Sequence, residues 1–176
     1  MDTYFKRLPL HTKCLFGLLI FVVLFRMYGA NSMDYSTPEG ALNAYGKVVS
    51  DLYVKNGISN PDSEPTNNPD FKKFNELWIG STTAVLQGWK AFQYSKITFS
   101  PRSKATFRIK QGSSMVIGFS KDNALYKKGG IVQKGDLAYA TIVFRGDSMY
   151  TCEHELILQK QKNGEYKVAH MSYDVY

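Results

Sequence analysis

The residues that could move protons are few in this chain of 176 residues: three histidines, His11, His154 and His170, and two cysteines, Cys14 and Cys152. No histidine or cysteine cluster has the spacing of metal ligands, so no metal site and no cofactor is called for. His154 and His170 lie on either side of "KNGE", whose Asn163-Gly164 pair is a strong hairpin signal. A turn centred there sets Lys162 opposite Glu165 and Asp174 roughly opposite Glu153, with the two histidines offset along the hairpin. By strand alternation His154 shares a face with Tyr150, Cys152, Leu156 and Leu158, and His170 shares one with Tyr166, Val168 and Ser172. If both rings lined the mouth of a cavity, burial and a neighbour such as Glu153 could tune them for proton transfer. The plainer reading, favoured by the apolar faces, is two partly buried histidines hydrogen-bonded to their neighbours. Tyr45, Tyr139 and Tyr166 are available hydroxyls, but carboxylates are scarce at inward positions, and Asp51 beside the first apolar stripe reads as a cap or surface group. No catalytic residue is assigned, and the balance is against an enzyme.

A second feature is electrostatic. No acid occurs between Glu76 and Asp122, while Lys90, Lys96, Arg102, Lys104, Arg108, Lys110 and Lys121 accumulate. Lys104, Arg108 and Lys110 alternate along one strand and form a basic contact strip, suited to anionic lipid headgroups, an acidic partner or cell-wall polymer. Against that stands an ordinary solvated sheet face. Nucleic acid is set aside: the formal charge of +7 includes four basic residues and one acid in the first 32 positions, and Phe99 and Phe107 read as core. "YKKGGIVQKG" has glycines without the strand, turn and helix of a phosphate cradle.

The elements that must carry these residues begin with "STPEGALNAYGKVVSDLYV", where Ser36 is the expected cap and Glu39 completes a capping box. Ala41, Leu42, Tyr45, Val48, Val49, Leu52 and Tyr53 then trace one helical face, ending near Gly57. A proline-rich loop follows. The pattern predicts a second helix from Asp70 to about Ile79, with Phe71, Phe74, Leu77 and Trp78 inward. It predicts a third from Thr82 to Phe92, with Val85, Leu86, Trp89 and Phe92 inward and Gly88 a weak point. Strands are expected at "YSKITFS", "KATFRIK", "SSMVIGFS", "LAYATIVFR", "SMYTCEHELILQKQ" and "YKVAHMSYDVY", with a short strand or flap near Leu125 and Tyr126. Helices followed by hairpin-linked strands give an α+β class, about three helices packed on one curved antiparallel sheet of four to six strands.

Ahead of this domain, Cys14 to Phe25 is uncharged, preceded by Lys6, Arg7 and Lys13. Stretched to Ala30, with Arg26 reaching the headgroups, it reads as a short transmembrane anchor; read as a signal, it is cut near Ser32. The organisation is then a basic cytoplasmic tail (1–13), an anchor or signal core (14–30) and a folded domain (36–176). The basic bias puts the N-terminus in the cytoplasm and the domain outside, on a bacterial inner membrane, or secreted or periplasmic after cleavage.

In element order, in its opening "STPEGALNAYGKVV" and in its closing "MYTCEHELILQKQKNGEYKVAHMSY", the chain from Ser36 to Tyr176 resembles the NTF2-like superfamily, also described as cystatin-like or similar to ketosteroid isomerase. The resemblance implies a cone of sheet around helices, with His154, His170, Tyr166 and Tyr45 near its cavity. An anchor before such a domain is similar to the inner-membrane assembly component of type IV secretion systems. That implies a tethered, non-enzymatic scaffold or protein-binding domain, with the bilayer, protein partners or further copies of itself as partners. The alternative is a secreted or periplasmic ligand-binding protein or isomerase-like enzyme using the cone cavity.

Overall fold

Thr37 starts the first helix, α1 (Pro38–Val54): its extended backbone lets the side-chain hydroxyl accept from the Gly40 amide at 3.0 Å, one residue beyond the expected Ser36 cap. Ser36 instead donates to Asp34. The computed structural model describes residues 33–55, 65, 68–111, 126–128 and 130–176. The predicted helix stop at Gly57, most of the proline-rich loop, the strand "SSMVIGFS", Leu125 and His11 lie outside the described residues. So does the segment 14–30, on which both the anchor and the signal readings rest. Among the described residues no helix is long and apolar enough to cross a membrane. The inner-membrane topology and the bilayer as a partner therefore find no support in the structure.

The second helix, α2 (Pro69–Asn75), starts where Asn68 caps it and Pro69 opens it, and it carries one fully buried side chain, Phe74. The prediction extended it to Ile79. Instead, the helix ends in a turn at Glu76 and Leu77, and Trp78 bridges to Val168: the Val168 amide donates to the Leu77 carbonyl and the Ile79 amide to the Val168 carbonyl, each at 2.9 Å. The third helix, α3 (Thr82–Phe99), runs well past Phe92, so "YSKITFS" is helix and not strand. Phe92, Ser95, Lys96 and Phe99 are all buried, a three-to-four-residue spacing that continues the buried face set by Val85, Gly88 and Trp89. Ser100 ends it in the left-handed conformation, with Pro101 next. Leu86, expected inside, is exposed.

Gly88 sits where it does because the Trp78 indole presses against it: a Cβ there would lie 2.1 Å from the ring. Gly88→Ala gains about 1 kcal/mol of helix propensity and meets a rigid buried ring. The expected net loss is on the order of 1–2 kcal/mol, read by urea denaturation.

Among the described residues six strands form one antiparallel sheet: β1 (Ala105–Ile109), β2 (Tyr126–Lys128), β3 (Ile131–Lys134), β4 (Leu137–Gly146), β5 (Thr151–Lys160) and β6 (Tyr166–Val175). The path runs β2-β3-β4-β5-β6. β1 joins the same edge of β4 as β3, further along the strand. The inner face carries Ala138, Ala140, Ile142, Phe144, Cys152, His154, Leu156 and Leu158 against the helices, which supply Leu42, Tyr45, Tyr53, Phe92 and Phe99.

This is an α+β domain, but the sheet is open and does not close into the expected cone. The first half of β6, where a closing strand would pair, is taken by Leu77–Ile79 and by the Tyr35 carbonyl, which accepts from the Tyr166 amide. Where the resemblance implied a cavity, aromatic side chains at almost zero exposure fill the space.

One irregularity decides which way the last strand faces. From Lys160↔Tyr166 to Leu158↔Val168 the pairing follows one register, which shifts by a residue between Ile157 and Leu158, so that Ile157 meets His170 and Glu153 meets Asp174. Ala169 is the extra residue of a β-bulge. Tyr166 and Val168 point inward; beyond the bulge Met171 points inward and His170 outward.

Candidate functional site

Two groupings of polar side chains occupy opposite faces of the sheet. The inner one centres on His154, which β5 delivers to the helical side and which is fully buried. Its Nδ1 lies 2.8 Å from the Tyr45 hydroxyl, and its Nε2 lies 2.6 Å from the Tyr53 hydroxyl and 3.5 Å from Ser95 Oγ. Tyr53 also reaches Ser95 at 2.7 Å and Cys152 at 3.3 Å. Tyr45 lies 2.8 Å from the Met171 sulfur, and Ser95 donates to the Phe92 carbonyl at 2.8 Å. Tyr45 and Tyr53 are eight residues apart on α1, roughly two turns, so both rings descend on the same side.

Burial pushes the His154 pKa down to about 3, so the ring is neutral with a single N–H. Placing that proton on Nε2 uses every donor. Nε2–H donates to Tyr53, Tyr53 to Ser95, Ser95 to the Phe92 carbonyl, Cys152 to Tyr53, and Tyr45 to Nδ1; only the thioether, a weak acceptor, goes without. In the opposite tautomer Nδ1–H donates to Tyr45, Tyr45 to the Met171 sulfur and Tyr53 to Nε2, and Ser95 must choose between Tyr53 and the Phe92 carbonyl, so one of those two bonds is lost. Burial also raises the tyrosine hydroxyls well above their usual range and the Cys152 thiol to about 11. The cluster therefore stays neutral, and its chemistry is that of a satisfied core network.

Sequence reasoning named His154 and Tyr45 and missed Tyr53, Ser95 and Cys152 as their partners. The spacing of Tyr45 and Tyr53 was the available signal. Tyr166 stands apart: its hydroxyl accepts from Gln133 Nε2 at 2.7 Å. His170, carried outward by the bulge, is exposed and does not join His154. Tyr139 is buried on the outer side of β4, beside Val132.

The outer face holds the second grouping. Register aligns Arg108, Val143, Glu153 and Asp174 in one cross-strand row, and Thr141, Glu155 and Ser172 in the next, with Lys110 joined to Thr141 through its amide. A cleft of about 350 Å³ opens among Lys110, Glu153, Glu155, Ser172, Tyr173, Asp174 and Tyr176. The Lys110 ammonium donates to both oxygens of Glu153, at 2.8 and 2.7 Å, and the Tyr176 hydroxyl donates to the same carboxylate. Burial draws the Glu153 carboxyl upward, but the hydrogen bonds from Lys110 and Tyr176 outweigh it and hold the group below its usual range. The bond to Glu153 raises Tyr176 to about 12. Ser172 Oγ approaches Glu155 at 3.5 Å.

The basic strip thus faces carboxylates. Lys110 is committed to Glu153, and Arg108 lies in the same row as Glu153 and Asp174. Lys104 lines a separate shallow cleft of about 280 Å³ with Thr106, Arg145, Gly146 and Asp147. Asp147 there is tied to the Arg102 and Ser103 amides at 2.6 and 2.9 Å. Among the described residues no group of three or more histidine, cysteine, aspartate or glutamate side chains is placed to hold a metal ion.

Fold and sites together define a small α+β domain with a sealed tyrosine–histidine network on one side of its sheet and a charged cleft on the other. Compared with models of protein families and with curated proteins, the chain matches none. The resemblance to the NTF2-like superfamily is therefore not sustained, nor is the likeness to the type IV secretion component. The tethered scaffold and the cone-cavity enzyme or binding protein lose their footing with it.

Proposed function

We propose that the domain binds a small amine-bearing ligand in the cleft on the outer face of the sheet. The observation that carries this reading is the lining: three carboxylates, Glu153, Glu155 and Asp174, against one ammonium, Lys110, with the Tyr176 side chain at the border. Such a site has a negative potential, and the Tyr176 ring adds a favourable face for a cation. Its volume is at the small end of ligand clefts, and its polar walls suit a compact hydrophilic molecule. Lys110 serves as the internal partner that keeps Glu153 ionised and oriented, and Asp174, at the exposed side of the cleft, meets the incoming amine.

Isothermal titration with 1,5-diaminopentane at low ionic strength tests this. The expected result is saturable binding that weakens at least tenfold in Asp174→Asn and falls with added salt, as screening requires. Hexanoate, of similar size and opposite charge, is expected to give no heat. Equal response to amine and carboxylate, or none to either, would overturn the proposal.

A further inference from the structure

Beyond the cleft, β6 presents a backbone edge that is covered in its first half only. Thr151 and Tyr176 exchange both backbone hydrogen bonds, which fixes the alternation along the β5–β6 ladder. Ser172 and Asp174, paired with Glu155 and Glu153, turn their backbone groups toward β5. Met171, Tyr173 and Val175 turn theirs to the opposite edge, and among the described residues no segment pairs with them there. Beside this edge α3 packs over β6 and shows an exposed stripe: Leu86 (39 %), Tyr94 (39 %) and Ile97 (44 %), at spacings that keep one helix face. Tyr173, 37 % exposed, lies close enough to Tyr94 for the two hydroxyls to interact electrostatically. An unprotected edge flanked by apolar side chains is a template for another strand.

We infer that the strand is the same segment of a second copy, with the two β6 strands antiparallel about a two-fold axis at Tyr173. In that register all three outward-facing residues are used: Tyr173 meets Tyr173 of the second copy, and Met171 meets Val175 in both directions, giving six backbone hydrogen bonds. On the outer face Ser172 falls opposite Asp174 and His170 opposite Tyr176, so donors meet acceptors and no like charges oppose. Sliding by two residues one way sets Asp174 against Asp174, and sliding the other way opposes Val175 to the bulged Ala169. The sequence is thus self-complementary in one register. The two-fold also brings Ser172 and Asp174 of the second copy to the rim of the outer-face cleft, and it packs the α3 stripes beside each other.

The test is light scattering on the full chain between 10 and 300 μM, together with two variants. Tyr173→Pro removes an amide that points away from β5, a position where an edge strand tolerates proline. It is expected to keep its circular dichroism spectrum and to be monomeric where the native chain is dimeric. Tyr173→Cys sets two thiols on strands whose Cα atoms are about 5.5 Å apart, within disulfide reach. It is expected to cross-link on mild oxidation beyond the native control, whereas Val175→Cys, two residues off the axis, is not. A native chain that stays monomeric at 300 μM, a Tyr173→Pro dimer, or equal cross-linking at 173 and 175 would overturn the inference. If Tyr173→Pro loses its fold, the cysteine pair decides alone. Diamine binding by a monomeric chain would leave the cleft reading standing while this one falls.

Discussion

Acidification from pH 7 to pH 4 is expected to remove about 3 kcal/mol of folding stability through His154 alone. The physical cause is the enclosure of the imidazole between Tyr45 and Tyr53, which holds its pKa at about 3 against the usual 6.5. Between these two values the unfolded chain takes up a proton that the folded chain refuses. Stability therefore falls as pH drops below 6.5, at about 1.4 kcal/mol per pH unit, and the loss is complete near pH 3. Over the whole window the loss is on the order of 4–5 kcal/mol, a large part of what a domain of this size has. Urea midpoints measured at half-unit intervals, for the native chain and for His154→Gln, isolate the effect. The variant is expected to be weaker at pH 7, because the tyrosines lose a shaped partner, and to have a shallower pH slope by one proton. Parallel slopes would mean that the imidazole titrates normally in the folded state.

Truncating Phe74 is expected to cost about 3–5 kcal/mol, the range for emptying a fully buried aromatic site. Phe74 is the one fully enclosed side chain of α2, and its ring lies within 6.4 Å of those of Tyr45, Trp78, Trp89 and Phe92. A helix of seven residues has no stability of its own, so its position depends on this contact and on the Asn68 cap. The consequence reaches the sheet, because the residues just after α2 bond to Val168 and guard the first half of β6. In Phe74→Ala the amides of Ile79 and Val168 are expected to lose hydrogen-exchange protection before those of β4 and β5. A global loss in which all amides exchange together would show that α2 is part of the same cooperative unit.

Periodicity, with the capping signal before α1 and the Asn163-Gly164 turn, locates α1, the start of α3 and the long hairpins, because those segments bury one face at a steady spacing. The errors fall where a local signal met a longer-range one. "YSKITFS" alternates like a strand, yet Ser95 and Lys96 are polar residues buried on a helix, each with an interior partner: Ser95 meets Tyr53, and Lys96 donates to the Lys55 carbonyl at the end of α1. A composition-based reading takes such residues for a solvated edge. The turn at Asn163-Gly164 implies that Asp174 lies opposite Glu153, as it does, but the bulge at Ala169 has no local signature, so alternation groups His170 with Tyr166 and Val168, which face the other side. The cone failed for a similar reason: strand content suggested closure, and only the pairing of Leu77–Ile79 with Val168 reveals what occupies the edge.

The charged cleft was legible in fragments. Along the chain Lys110 belongs to a basic strip, Glu153 is a neighbour of His154, and Tyr176 carries no signal, since cross-strand rows appear only when the register of three strands is known. Once β1, β4, β5 and β6 are aligned, the strip is half of a mixed-charge surface and its acidic half forms the cleft.

That division of labour, with a sealed inner network for stability and an open outer cleft for binding, is tested most directly by amide chemical-shift mapping during titration with 1,5-diaminopentane. Shifts confined to Lys110, Glu153, Glu155 and the stretch from Ser172 to Tyr176, with His154 and Tyr45 unmoved, are the predicted result. Shifts centred on His154 and the α1 tyrosines, or no saturable shifts at any residue, would contradict it.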